Sequence, residues 1–254
     1  MWCNLINISK NIPLSINFGV KNIGFRSSEE YIPYQSTVRD DFVTNPLEEN
    51  FTNIQKIQAE AAANPHIREI MREYNLPVKV NVNELNKLHD GHLKDTRIIA
   101  AKIYSNLPPE LKTEVNLKQL QEAAMLHDYG KILIPDKILN KKGELNNEEK
   151  AIMNLHSELG YELLKNKNID ENTLSLIKYH HQNPVKSGYP AVTSDYEHSV
   201  GAQILSAADE YTALREKRSY KDELSKEEAL AVIRENAEKG EISPVIYSAL
   251  AKSV

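Results

Sequence analysis

The sequence predicts an all-α fold, and three observations carry that prediction. From Glu48 onward, apolar residues recur at intervals of three and four, the period of a helix face. Asn or Ser precedes several of these runs with Glu or Gln three positions later, a helix N-terminus signature. After residue 50 no stretch alternates apolar and polar residues convincingly enough to be a strand.

Residues 1–50 stand apart. They are rich in Asn, Ser and Pro, and Leu14, Ile16, Phe18 and Val20 alternate with Ser15, Asn17 and Gly19. One short strand does not stand alone, so an irregular or flexible N-terminal extension is expected. Residues 51–80 read as a helical lead-in. The helical pattern runs to about Tyr74 through Ile54, Ile57, Ala61, Ile67, Ile70 and Met71, interrupted at Pro65 and ended by Pro77.

Residues 81–254 form the main domain. A helix from about Asn83 to Ser105 sets His92, Thr96, Ile99 and Ile103 on one apolar face, continued by Leu107. His92 therefore points into the core, and taken alone it reads as a hydrogen-bonded core histidine. Asn116, with Gln119, caps a helix that carries Ala123–Leu126 into His127 and Asp128, and Gly130 and Pro135 close it. Asn146, with Glu149, opens a helix that runs through His156 to Leu164. Residues 170–181 form a short helix ending in His180-His181, and Gln182–Asp195 is a loop holding Pro184, Gly188 and Pro190. Glu197–Glu216 is a helix containing Asp209. Ser225, with Glu228, caps another to Glu238, and Pro244 starts the last.

Composition narrows the function. The net charge of -5 provides no basic field for a polynucleotide, although a local Lys/Arg cluster would suffice for a small phosphate ligand. The single cysteine, Cys3, excludes a disulfide framework or a Cys-rich zinc site within one chain. Any metal must be held by His, Asp and Glu. No apolar run approaches the roughly 20 residues that span a bilayer. Asn4, Asn7, Lys10, Asn11 and Pro13 break the first 20 residues as a secretory signal, so the expected location is cytoplasmic.

Five of the eight histidines, His92, His127, His156, His180 and His181, fall on helices or helix ends beside apolar residues. Asp128 and Asp209 are likewise set in the apolar runs AAMLHDYG and ILSAADEY. An unpaired buried imidazole or carboxylate is costly. Seven separate core hydrogen bonds would satisfy these groups, and so would one shared metal cluster. A ligand set of imidazole and carboxylate without sulfur suits Fe, Mn, Co or Zn better than Mg.

The order His, His-Asp, His, His-His, Asp resembles the HD superfamily of metal-dependent phosphohydrolases. HDYGKILIPDKILNKKGELNNEEKAIMNLH is similar to the hallmark of its HD-GYP subgroup, including the 29-residue step from His127 to His156. KYHHQNPVKSGYP and ILSAADEYTALREKRSYK match the second and third signatures, and the likeness covers roughly residues 80–254. The resemblance implies an HD-type helical bundle around a central metal site. It also implies hydrolysis of cyclic di-GMP, a bacterial signalling molecule, to linear pGpG and onward to GMP.

Carried over by position, His92, His127, Asp128, His156, His180, His181 and Asp209 would be metal ligands, with Asp128 bridging two divalent ions. Fe or Mn is expected first, with Zn, Co or Ni as alternatives. Such a pair, typically about 3.5–4 Å apart, activates water and clamps the phosphodiester. Lys131 would set a fixed positive charge at the scissile phosphate or at the bridging hydroxide. Arg218 and Lys221 would bind ligand phosphates, their other reading being a solvated helix end. Gly188-Tyr189-Pro190 is either a structural turn or a contact for a diguanylate cyclase domain.

Several positions depart from the subgroup's pattern. Gln182 replaces a glutamate, Val185-Lys186 an Asp-Gly pair and Thr212 an aspartate. Leu88 stands where some members carry a third-metal glutamate, so two metals are expected. His89 is one residue beyond that position and Glu84 lies further back on the same helix. Tyr129 replaces an isoleucine and is expected to narrow the site. His66 and His198 match no ligand position and read as surface or structural. Two other functions stay open, an HD-type phosphohydrolase acting on another nucleotide or phosphate ester, and a catalytically weak binding or scaffold module. Oligomeric state is left open.

Overall fold

The computed structural model describes residues 53–87, 91–217 and 222–254. The described residues contain helices and no strand. The N-terminal extension, Leu88, His89, Arg218 and Lys221 lie outside them.

Helices α1 (Ile54–Ala63) and α2 (Pro65–Glu73) meet at Asn64. Pro65 does more than interrupt a helix. It occupies the first turn of α2, where a missing N–H costs nothing, and the Asn64 side chain caps that turn by accepting from His66 N and Ile67 N. The Asn64 amide also donates to Glu162 at 3.0 Å, tying this corner to a later helix.

Of the helix expected over 83–105, the described residues give α3 (Val82–Lys87) and α4 (Gly91–Ser105), and residues 88–90 lie outside them. After α5 (Pro109–Lys112), α6 (Leu117–Leu126) starts at Asn116, whose side chain accepts from two backbone amides. A 3-10 turn (Tyr129–Leu133) and α7 (Asp136–Leu139) follow. Asn146 and Glu149 form a reciprocal capping box on α8 (Asn147–Asn154).

The helix expected to run to Leu164 instead breaks at Leu155, and α9 (His156–Leu164) begins on the histidine itself. There the Met153 carbonyl accepts from the His156 ring at 2.7 Å. Helix α10 (Glu171–Tyr179) is capped by Asp170, α11 (Val200–Arg215) by Ser199 and α12 (Lys226–Glu238) by Ser225 in a second capping box. Helix α13 (Pro244–Ser253) opens on Pro244.

Helix α4 packs against α6, α11 and α13, while α10 packs against α6 and α9. Small buried residues, Ala100, Ala123, Ala124, Ala207 and Ala208, line α4, α6 and α11, and Ile103, Leu120, Ile204 and Leu205 fill the spaces between. Helix α11 is buried on nearly every side from Gly201 to Leu214, the pattern of a central helix. That position puts the Asp209 carboxylate inside the bundle.

Candidate metal centre

Five elements converge on one point. His92 is the second residue of α4, His127 ends α6 with Asp128 next, His156 begins α9, His180 ends α10 with His181 next, and Asp209 sits within α11. All seven side chains predicted as ligands come together here, with Lys131 beside them.

Helix ends explain how the rings are aimed. The last carbonyls of a helix lack intrahelical partners. His127 donates from Nδ1 to Ala124 O (2.9 Å), His156 to Met153 O (2.7 Å) and His180 to Ile177 O (2.7 Å). A carbonyl only accepts, so each Nδ1 carries a proton and each ring turns its Nε2 toward the centre.

The Nε2 atoms fall into two groups around Asp128. On its Oδ2 side, His127 lies at 3.5 Å and His92 at 3.9 Å. Asp209 Oδ1 is 3.0 Å from His92 Nε2 and 3.5 Å from His127 Nε2. On the Oδ1 side, His156 Nε2 lies at 3.5 Å. That nitrogen is also 3.3 Å from His180 Nε2 and 3.1 Å from His181 Nε2. Lys131 Nζ donates to Asp128 Oδ2 at 2.6 Å.

This donor set fits divalent cations. His127 Nε2 is buried with no hydrogen-bond partner. His156 and His180 have both committed their Nδ1 protons, so their Nε2 atoms face each other lone pair to lone pair, a repulsive contact that a cation would relieve. Ligand atoms of His92, His127 and Asp209, of His127, Asp128 and His180, and of His156, His180 and His181 each lie within 4.8 Å of one another.

The electrostatics agree. Burial works to raise the Asp128 pKa, but Lys131, then His127 and His156, hold it well below the usual carboxylate range. Burial opposes ionisation of Asp209 too, yet the close approach of His127, the hydrogen bond from His92 and the charges of both keep it well below that range. Burial lowers His156 to about 4 and His180 to about 3, and takes His181 well down. His127 differs, because the charges of Asp128 and Asp209 outweigh its burial and raise it. The centre thus offers ionised carboxylates beside neutral His156, His180 and His181, protonation states that bind a metal.

The loop carrying Gly188-Tyr189-Pro190 folds back on the histidine pair. Tyr189 N donates to His181 O at 3.1 Å, and the Tyr189 ring lies 4.6 Å from the His181 ring. A Cβ on Gly188 would fall 2.0 Å from His181 O, so only glycine fits this approach. The Tyr189-Pro190 peptide is cis.

Gln182, noted in the sequence only as a departure, organises this loop. It is buried, accepts from Asn183 N and Gly188 N (both 3.0 Å), and donates to Pro190 O at 2.8 Å. No local pattern announces that role, since two of its partners lie six and eight residues on.

The remaining departures are locally satisfied. Thr212 Oγ1 donates to Ala208 O at 2.6 Å, Val185 is exposed, and Lys186 Nζ donates to Ser194 O. Tyr129 is buried, and burial followed by the Glu60 charge on α1 pushes its hydroxyl pKa up. His66 is exposed and His198 Nδ1 bonds the Tyr196 hydroxyl at 2.9 Å.

The HD domain family model matches residues 79–246, a span that contains all seven converging side chains. The chain belongs to the HD domain family. Three curated relatives agree with that assignment. A cyclic di-GMP phosphodiesterase of Thermotoga maritima is 37% identical over 123 residues, covering 48% of this chain and 33% of the relative. The cyclic di-GMP phosphodiesterase response regulator RpfG of Xanthomonas campestris is 36% identical over 124 residues, covering 48% and 32%. The 3'3'-cGAMP-specific phosphodiesterase 2 of Vibrio cholerae is 37% identical over 131 residues, covering 50% and 24%.

This HD domain chain therefore spans a quarter to a third of the length of those relatives. A solved HDG"Y"P protein, Bd1817 from Bdellovibrio bacteriovorus, shares the fold with a TM-score of 0.51 at 15% identity, covering 81% of this chain and 66% of that one. These matches fit the HD domain assignment. Among the described residues no helix is long and apolar enough to cross a membrane.

Proposed function

We propose that this HD domain is a metal-dependent phosphodiesterase that hydrolyses cyclic di-GMP to linear pGpG and onward to GMP. One observation carries the reading. The two oxygens of Asp128 face different imidazole groups, His127 and His92 on one side and His156 on the other. A carboxylate so placed would join two cation sites. His92, His127 and Asp209 would complete one, and His156, His180 and His181 the other, with Fe or Mn the best match to this nitrogen-rich set.

Divalent ions held there would activate water and offset the charge that develops on the phosphate. The chain's own groups do the rest. Lys131, one turn beyond His127, would set its ammonium against a phosphate oxygen while holding Asp128 ionised. Asp128, with both oxygens turned to the cation sites, would hold them rather than take a proton; as the water oxygen bonds phosphorus, one ester P–O bond breaks and the water's proton passes to the departing ribose oxygen. Arg218 and Lys221 are proposed to bind the non-reacting phosphate. Gly188-Tyr189-Pro190 would chiefly fix the histidine pair, with a diguanylate cyclase domain as a candidate partner of its outer face.

A second reading, hydrolysis of 3'3'-cGAMP, is favoured by the Vibrio cholerae relative named for that substrate, 37% identical to this chain. The test is turnover of both cyclic dinucleotides by protein loaded with Mn or with ferrous iron under reducing conditions. Lys131→Ala is expected to lower turnover at least 100-fold while retaining metal. Metal-loaded protein that binds either dinucleotide and cleaves neither would reduce it to a binding module.

A further inference from the structure

His92 is the exception to the rule that aims the other rings. His127 and His180 close helices, and His156 sits where α8 ends, so each finds a free carbonyl for Nδ1. His92 is the second residue of α4. No backbone carbonyl serves its Nδ1. That nitrogen is buried and makes no hydrogen bond. Its other nitrogen, Nε2, is already turned to Asp209.

The nearby acceptor is a carboxylate from another helix. Glu216 caps the C-terminus of α11 in an extended conformation, and its Oε2 lies 3.6 Å from His92 Nδ1. Both residues line one cavity of about 510 Å³ between α4 and α11. A contraction of a few tenths of an ångström would make this a hydrogen bond.

We propose that Glu216 is the positioning residue for His92. It accepts the Nδ1 proton, fixes the tautomer that leaves Nε2 free, and orients the ring toward the cation site. The inference rests on the metal-binding reading given above. Partners of this kind typically change metal affinity about 10–100-fold.

The test begins on metal-free protein with 15N-labelled histidine. Ring nitrogen shifts should show a proton on His92 Nδ1 in the wild type and in Glu216→Gln, which keeps an acceptor, and the Nε2–H tautomer, held by Asp209, in Glu216→Ala. Mn2+ titration should then show Glu216→Ala binding about 10–100-fold more weakly and Glu216→Gln recovering most of the loss. Equal weakening in both variants would mean that Glu216 acts only through its charge, and would overturn the proposal. An unchanged tautomer in Glu216→Ala would also overturn it, as would a change produced by Asp95→Ala, the other carboxylate in the same cavity. Wild-type protein that binds no divalent ion would count against the proposed function, and the tautomer readout would still decide the role of Glu216.

Discussion

Replacing Gly130 with alanine is expected to damage the centre without touching any ligand. Gly130 lies in the 3-10 turn two residues after Asp128, and its backbone rests on the start of α9. An ideal Cβ there would fall 1.9 Å from His156 O and 2.5 Å from Gly160 N, whereas real Cβ atoms stay beyond 3.0 Å. The obstacles are backbone atoms, so no rotamer relieves them. The turn and α9 must separate by about 1 Å, against a core packed to crystal-like density. Overpacking costs about 1–3 kcal/mol, and collision with backbone puts this case near the upper end. For a chain this size that is a fall of roughly 5–10 °C in Tm.

The same movement separates Asp128 from His156, which now lie 3.5 Å apart across the centre. A misplacement near 1 Å costs about 100-fold in rate. Thermal melts, metal content and cyclic dinucleotide turnover should therefore all fall in Gly130→Ala, with helical content retained. A variant with wild-type Tm and full metal content would refute the reasoning.

Other positions give independent checks. Gln182→Ala strands buried partners at Asn183, Gly188 and Pro190 and should cost about 2–3 kcal/mol in urea unfolding; a loss below 0.5 kcal/mol would show that the loop does not depend on it. Thr96 buries a hydroxyl with no partner, so Thr96→Val should stabilise by about 1 kcal/mol, and clear destabilisation would expose a missed partner. Burial holds His198 near 4, below its ordinary 6.5. The folded protein thus keeps it neutral where the unfolded chain protonates it, and stability is lost as pH falls from 6.5 toward 4. His198→Phe should flatten that window by on the order of 1–2 kcal/mol, and parallel pH profiles for variant and wild type would contradict this.

Much of the centre was legible because its logic is local. Apolar flanks marked His127, Asp128, His156, His180, His181 and Asp209 as buried, and the helix-face period did the same for His92. The pairs Asn146/Glu149 and Ser225/Glu228 form the reciprocal caps that their spacing predicts. Helices α5 and α7 were missed because each is one turn long, too short for a period to register. The break at Leu155 was hidden because LHSELGYELL continues the helical pattern through it. Gln182 and Glu216 act through space, on partners that no spacing rule connects.

Elemental analysis of anaerobically purified protein, compared between wild type and Asp128→Ala, tests the central claim most directly. If Asp128 joins two cation sites, the wild type should carry two transition-metal ions per chain and cleave a cyclic dinucleotide. Asp128→Ala should lose metal and turnover together while keeping its helical content. Equal metal content and full turnover in the variant would contradict the account.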